Sequence, residues 1–452
     1  MKVRILFLGG FMSFDERHYY QELRATNVAQ FLKKIEKLDD ELMPQMKLQG
    51  WKYRKRSEKS VTFSLGVVRY KRRAYVKEGV WRYPVDEELG IVKYGRYSPE
   101  LLYQIANYAT SMPLRQVSAK FEVSAQLYIG KSTVYNTTRK VSKLFDEREA
   151  YRYYEETETI EKIKAEAIYI EGDGVMVKAQ EKERGIDMAH FLVHTGSEKV
   201  SEKRYRLKNK SEVISNHHDL AVEQLEDLLN NHYDITPDTL LITNSDMGKG
   251  YTPYLFKELA SPFQCRHEHF WDVKHLNMKI KDRFRKLPYE LEEGLFTAIQ
   301  SDNKKTARVI LDTAESLIDS EEELELFNKF KTKLLQNFQY TKPAELRGLS
   351  HRGIGVMETQ HRKLTYRMKR RGMYWSERGA NTMSRMILAV YNDSLRELFF
   401  GTWREEYAYY QKIDIPVGEF LRQGKVSPIN EINKQTTSGI TARRKSNKTP
   451  LL

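Results

Sequence analysis

The strongest constraint on the fold lies between residues 167 and 285, where short apolar runs alternate with amphipathic ones. Ala167–Asp173, Ala189–His194 and Arg204–Leu207 are rich in β-branched and aromatic residues and read as strands. Leu220, Leu225, Leu228 and Leu229 then recur at helical spacing. Thr239–Thr243 reads as a buried strand, Pro253–Leu259 as a helix, Phe263–Phe270 as a strand, and a further helix opens at Asp272.

Three strands, helix, strand, helix, strand, helix is the order of a ribonuclease-H-like mixed-sheet core, and periodicity alone leaves other α/β folds open. Around this core the expected architecture is α/β and multidomain. Residues 1–97 read as a basic N-terminal segment, helical and then β-rich, with a small β segment from Val61 in which a glycine turns a hairpin. Residues 98–146 carry three helices. Ser98 caps the first and Pro99 stands in its first turn, the second starts from Pro113, and Ser132 caps the third. Two short helices and a capped basic one make a helix-turn-helix-like DNA-binding domain, or any small helical bundle. The core's first part spans 147–286, and 287–350 carry helical spacing throughout, as an all-helical insertion does. Residues 351–424 return to the core with another helix, and 425–452 are polar, basic and expected to be disordered.

Two aspartates stand at matching places in the core pattern. Asp173 ends an apolar strand in Glu-Gly-Asp-Gly, and Asp246 ends the strand Leu-Leu-Ile-Thr-Asn-Ser-Asp. Strand ends of an open α/β sheet are where ligands gather. A carboxylate pair flanked by small residues suits Mg²⁺, which takes oxygen ligands and one or two protein carboxylates plus substrate phosphates. A third acid, Glu358, lies on the next helix with His361, Arg362 and Thr365 at i+3, i+4 and i+7. Such a triad suits two-metal phosphoryl transfer, with ions about 3.5–4 Å apart. Each acid taken alone is equally an ordinary turn or solvated helix residue.

Composition narrows the partner. Lysine and arginine number 76 against 62 acids, a net charge of +14, which points to a polyanion such as DNA or RNA. The cations cluster at 47–73, around the helix-turn-helix-like segment (Lys131, Arg139, Lys140 beside Ser132), and at Arg362, Arg367, Lys369, Arg370 and Arg371. These read as contacts to DNA phosphates or as solvated faces. Trp375 beside Tyr374 can stack on an unpaired base or pack the helix on the core. One cysteine excludes a disulfide scaffold and fits a reducing cytoplasm. Two glycines and the charges at 15–17 break the apolar opening, so export is not expected, and no stretch reaches 18 apolar residues. Cys265, His267 and His269 share a strand face near His275 and form a candidate zinc set, or simply a polar strand face.

Several segments carry a resemblance. Thr62–Gly66, Arg72–Tyr75, Tyr83–Gly90, Glu171–Gly174, Asn244–Gly250, Asp272–His275, Gly355–Arg362 and Arg367–Ala380 together resemble the ISLre-type insertion-sequence transposases, over residues 50–410. That resemblance implies a DDE transposase with a ribonuclease-H-like core and Asp173, Asp246 and Glu358 as the catalytic, metal-holding triad. It implies Mg²⁺, with Mn²⁺ as a substitute. Asp272-x-x-His275 matches a signature of related Mutator-like and hAT transposases and supports the site, together with His361 and Arg362. The implied partners are double-stranded DNA, as terminal inverted repeats and target, and further copies of the chain in a dimer or larger assembly. The implied location is the cytoplasm, on the nucleoid. Two other readings stay open: a nuclease or resolvase without strand transfer, and a non-catalytic DNA-binding regulator.

Overall fold

The Asp15 carboxylate accepts the Arg17 N–H and caps the first helix, α1 (Glu16–Leu48), of 33 residues. The computed structural model describes residues 15–152, 161–181, 183, 185–202, 204–350 and 353–412. The apolar opening, the basic tail and the His351–Arg352 step therefore lie outside the described residues. The chain divides into two units, one within Met1–Glu147 and Ala389–Thr402, the other within Arg148–Leu388 and Trp403–Leu452.

In the first unit, β1 (Lys52–Phe63), β2 (Gly66–Lys77) and β3 (Val80–Arg82) form an antiparallel sheet, with Phe63 paired to Gly66 across the hairpin. The sheet starts well before Val61, where the apolar pattern begins. The first half of β1 is solvated on both faces, so it shows no alternation to read. Val61, Val68, Tyr70, Val85 and Ile91 pack against Ile35 of α1.

The cations of this segment are partly spent inside the fold. Asp86, on α2 (Pro84–Glu88), takes Lys59 at 2.9 Å, Arg72 at 2.8 Å and the Tyr70 hydroxyl at 2.7 Å. Buried Asp39 takes Arg73 at 2.8 Å. Lys59, Arg72 and Arg73 are thus structural cations, which corrects their reading as part of a DNA surface.

Three helices follow: α3 (Pro99–Ala109), α4 (Leu114–Ala125) and α5 (Lys131–Tyr151). Ser98 accepts the Leu101 N–H as expected of a cap. Ser132 does not cap α5, because the helix begins at Lys131 and the Thr133 and Val134 N–H groups donate to the Gly130 carbonyl. Lys131, Ser132, Arg139 and Lys140 are all exposed on α5. The helix Leu395–Phe400 returns to this unit, its Phe399 ring 5.8 Å from Tyr103.

The second unit opens with β4 (Ile163–Lys164), β5 (Ala167–Val177), β6 (Ile186–His194), β7 (Ser197–Ser201), β8 (Arg204–Leu207) and β9 (Ser211–Ser215). There follow α6 (His218–His232), β10 (Tyr233–Asp234), β11 (Leu240–Ser245), α7 (Pro253–Ala260), β12 (Arg266–Trp271) and α8 (Val273–Phe284). The main sheet runs β12-β11-β5-β6-β9, with β6 antiparallel to both neighbours and β11 parallel to β5 and β12. Its third strand in chain order is β9 and not Arg204–Leu207. The latter pairs with β7 in a separate, solvated ribbon, whereas Val213, Ile214 and Ser215 are buried.

Ile168, Ile170, Phe191 and Val193 cover one sheet face against Leu225 and Leu229 of α6 and Phe256 of α7. Trp271, Leu276, Ile280 and Phe284 join a second core built from α9 (Tyr289–Gln300), α10 (Lys304–Glu315) and α11 (Glu321–Gln336). The remaining helices are α12 (Met357–Met368), which packs on β5, α13 (Glu377–Tyr391), α14 (Leu395–Phe400) and α15 (Trp403–Lys412). Among the described residues no helix is long and apolar enough to cross a membrane.

Candidate functional site

The strand register builds the site. Ser245 of β11 pairs with Gly172 of β5 on one side and with Trp271 of β12 on the other. The next residue along each chain is an aspartate, Asp173 within β5 and Asp246 and Asp272 directly after β11 and β12, so the three follow one level of three parallel strands. Asp173 does not end its strand, as its sequence suggested. β5 continues to Val177 because β6 still pairs with it beyond the level where β11 stops.

Local chemistry holds each carboxylate. Gly172 permits close packing, since a Cβ there would lie 2.8 Å from the Phe191 ring and 2.9 Å from Tyr251. After Asp246 the chain turns sharply, with Met247 at φ 60°. The Gly248 N–H donates back to Asp246 Oδ1 at 2.6 Å, and a Cβ on Gly248 would strike that same carboxylate. Lys279 and Lys333 anchor this turn through the Asp246 and Met247 carbonyls at 3.2 and 2.5 Å. Asp272 caps α8: Oδ1 accepts the His275 N–H at 2.9 Å and Oδ2 accepts Asn244 Nδ2 at 3.1 Å.

The row is electrostatically crowded. Burial, reinforced by the charges of Asp246 and Asp272, pushes the Asp173 carboxyl up to about 6, against the opposing pull of His275. Burial also pushes Asp272 up, but its bonds from His275 and Asn244 outweigh that and leave it below the usual carboxylate range. The Asp272 carboxylate, 3.3 Å away, raises the pKa of His275, and Asp173 and Asp246 add to the effect. Three carboxylates thus face one imidazole, an excess of negative charge suited to a cation.

The helix of the third acid is fixed by a residue whose role the sequence did not suggest. Glu171 of β5 is buried, and its carboxylate accepts the Val356 and Met357 N–H groups at 3.1 and 2.8 Å. It caps α12 and pins it to the strand that carries Asp173. Glu358 follows at once but is exposed and pairs with Lys274 at 3.2 Å. Among the described residues no three of His, Cys, Asp and Glu stand close enough to hold a metal ion, so the three acids are not gathered into one cage here.

Glu358, His361 and Arg362 also differ in burial. Glu358 and Arg362 are exposed, while His361 is buried with Nδ1 3.7 Å from Asp173 Oδ2. Burial, with His190 nearby, pushes its pKa down to about 3 and keeps it neutral. Behind it lies a buried network with no local sequence signal. His361 stacks on His190 at 5.2 Å, His190 lies 3.1 Å from Glu212, and Glu212 takes Lys363 of α12 at 2.5 Å. Burial alone would push the Glu212 carboxyl up, but His190 and Lys363 hold it well below the usual range, so the pair is ionic.

Three further expectations need correction. Arg367 is fully buried, its guanidinium 5.2 Å from the Trp375 ring, and is no DNA contact. Trp375 is also buried, with Nε1 donating to the Met368 carbonyl at 3.0 Å and its backbone bridged to Ala179, so it packs the core and does not stack on a base. The zinc set fails because Cys265 precedes β12, while His267 and His269 both turn onto the Thr243 hydroxyl, at 2.8 and 2.7 Å. Lys369 and Arg370 remain exposed, and Arg371 is half-buried over the Tyr366 ring.

Glu171 yields a pH prediction. Burial pushes its carboxyl up to about 7, above the ordinary 4.5. A raised folded-state pKa stabilises the fold at low pH, and that contribution is lost as pH rises through about 7, at up to about 1.4 kcal/mol per unit. Urea unfolding between pH 5 and 8 is expected to show the wild type losing stability relative to Glu171→Gln as pH rises. A constant gap would contradict this.

A model of the family described as "Uncharacterised protein family (UPF0236)" matches residues 15–405. The chain belongs to the UPF0236 family. A relative from Streptococcus gallolyticus, the "UPF0236 protein in vanSb 3'region", is 31% identical over 397 residues, covering 86% of this chain and 85% of that protein. Every site residue named above falls inside the UPF0236 match. Among solved structures, the Drosophila P element transposase strand transfer complex aligns over 68% of this chain and 82% of that one, at 10% identity and a TM-score of 0.24. At that score the likeness carries no argument about the UPF0236 fold or its chemistry.

Proposed function

We propose that this UPF0236 chain is a DDE-type transposase of a bacterial insertion sequence. It binds terminal inverted repeats, cleaves a DNA strand in the presence of Mg²⁺ and joins the exposed 3′-hydroxyl to target DNA. The observation that carries the reading is the row of Asp173, Asp246 and Asp272 across three adjacent parallel strands, with His275 beside it. The strand order β12-β11-β5-β6-β9 supports a ribonuclease-H-like core, in line with the resemblance to ISLre-type transposases.

The donor set fits magnesium: oxygen ligands only, with two carboxylates available, one of which, Asp173, burial and the neighbouring acids already disfavour as an anion. Asp173 and Asp246 would hold it, and Glu358 would join them on leaving Lys274. The chemistry such an ion would supply there is activation of a hydroxyl and stabilisation of a leaving oxygen. The Asp272 carboxylate, 3.3 Å from the His275 ring, favours the protonated imidazole, which could then donate to a phosphate oxygen. Exposed Arg362, Lys369 and Arg370 on one unit, and Lys131, Arg139 and Lys140 on the other, supply cations for backbone phosphates. Cutting two ends in concert calls for at least two copies of the site, hence a dimer or larger assembly on DNA.

A donor plasmid carrying the terminal repeats, incubated with the protein, Mg²⁺ and a target plasmid, tests the reading. Joined products are expected. Cleavage without joining would make the protein a nuclease or resolvase, and repeat binding without either would leave a DNA-binding regulator.

A further inference from the structure

We propose that the cavity beside the aspartate row is a pocket for one unpaired nucleotide of the DNA strand being processed, an inference that rests on the function proposed above. The cavity measures about 470 Å³ and is lined by Asp272 of the row and by Asn244, which donates to Asp272. That is the size of a small-ligand pocket. An intact duplex, whose major groove alone is about 12 Å wide, does not enter such a space, whereas an extruded nucleotide does.

Two independent features of the wall point to a base and its phosphates. The first is a stripe along α8. Lys274, Met278 and Lys281 follow the spacing i, i+4, i+7 and so share one helix face, all lining the cavity. Val273 and Met278 are 63% and 59% exposed, although Leu276 and Ile280 of the same helix are buried. An apolar, polarizable thioether between two ammonium groups suits an aromatic ring flanked by phosphates. The second feature is Asn244. It is 3% exposed, its amide nitrogen is used by Asp272, and its Oδ1 is buried without a hydrogen-bond partner. A buried orphan acceptor is costly, and the N–H of a nucleobase would satisfy it. Adenine, cytosine and guanine offer exocyclic amino groups and thymine a ring N3–H, so each unpaired base carries a donor for it.

Forked duplexes with one unpaired nucleotide at the junction test this by equilibrium binding. The wild type is expected to bind the adenine fork about tenfold more tightly than the same fork with an abasic site, the scale of one base-stacking contact. Met278→Ala and Lys281→Ala, both at the cavity wall on the solvated side of α8, are expected to bring that ratio toward one. Neither should alter binding of a fully paired duplex by the same factor. A ratio near one in the wild type, or a ratio unchanged in both variants, would overturn the pocket. Mg²⁺-dependent cutting of the same forks separates the two failures. Cutting with a ratio of one removes the pocket alone, and neither binding nor cutting removes the proposed function and the pocket with it.

Discussion

Asp246→Asn is expected to lower Mg²⁺-dependent DNA cleavage by about 10³-fold, a loss of ~4 kcal/mol of transition-state stabilisation, while repeat binding stays close to that of the wild type. The substitution is nearly isosteric, and an amide oxygen can still accept the Gly248 N–H that closes the turn after β11. What it removes is one negative charge from the level shared with Asp173 and Asp272. Asp173→Asn should behave alike, because its Oδ1 likewise accepts a backbone N–H, from Gly174 at 2.7 Å. Glu358→Gln should show the same loss if, as proposed, Glu358 leaves Lys274 to join the two aspartates during the reaction. Gel assays of nicking and of repeat binding read both quantities. Cleavage that survives in Asp173→Asn and Glu358→Gln together would break the assignment.

The second large effect is on stability. Lys363→Met removes a cation whose side chain is 6% exposed and leaves Glu212, with a side chain fully out of solvent, beside a neutral His190. Removing one partner of a buried ion pair costs about 3–5 kcal/mol, whereas replacing both by apolar groups is close to neutral. Urea unfolding should therefore show Lys363→Met strongly destabilised and the double variant Glu212→Leu with Lys363→Met much less so. Lys210, 3.0 Å from Glu212, softens the single-variant loss without abolishing it. Equal stabilities for wild type and Lys363→Met would show that the pair contributes nothing to holding α12.

How legible the site was in the sequence depended on how local each signal is. β5, β6 and β11 stand out because central strands are largely apolar runs, whereas β12, at the sheet edge, is apolar only at Phe270 and Trp271. β9 was missed because Ser211–Ser215 is short and polar at its start, while the aromatic Arg204–Leu207 next to it forms a side ribbon. Asp246 and Asp173 were visible as acids in apolar strands. Their alignment with Asp272 was not, since register depends on pairing between strands far apart in sequence. Glu171 shows in the sequence as a carboxylate inside an apolar strand, but nothing local reveals the helix it caps. Glu212 and Lys363 are far apart in the chain and meet only through packing, so no spacing could announce them. Arg367 and Trp375 misled for the same reason: a basic run next to a proposed site looks like a DNA surface until the helix turns one of its cations inward.

On the proposed function, Asp173 and Asp246 hold the metal needed to cut DNA. Anomalous scattering from crystals grown with Mn²⁺ locates that ion directly. The expected result is a peak shared by Asp173 and Asp246, with Glu358 moved off Lys274 toward it. A peak away from both aspartates, or no ordered ion at concentrations that support cleavage, would contradict it.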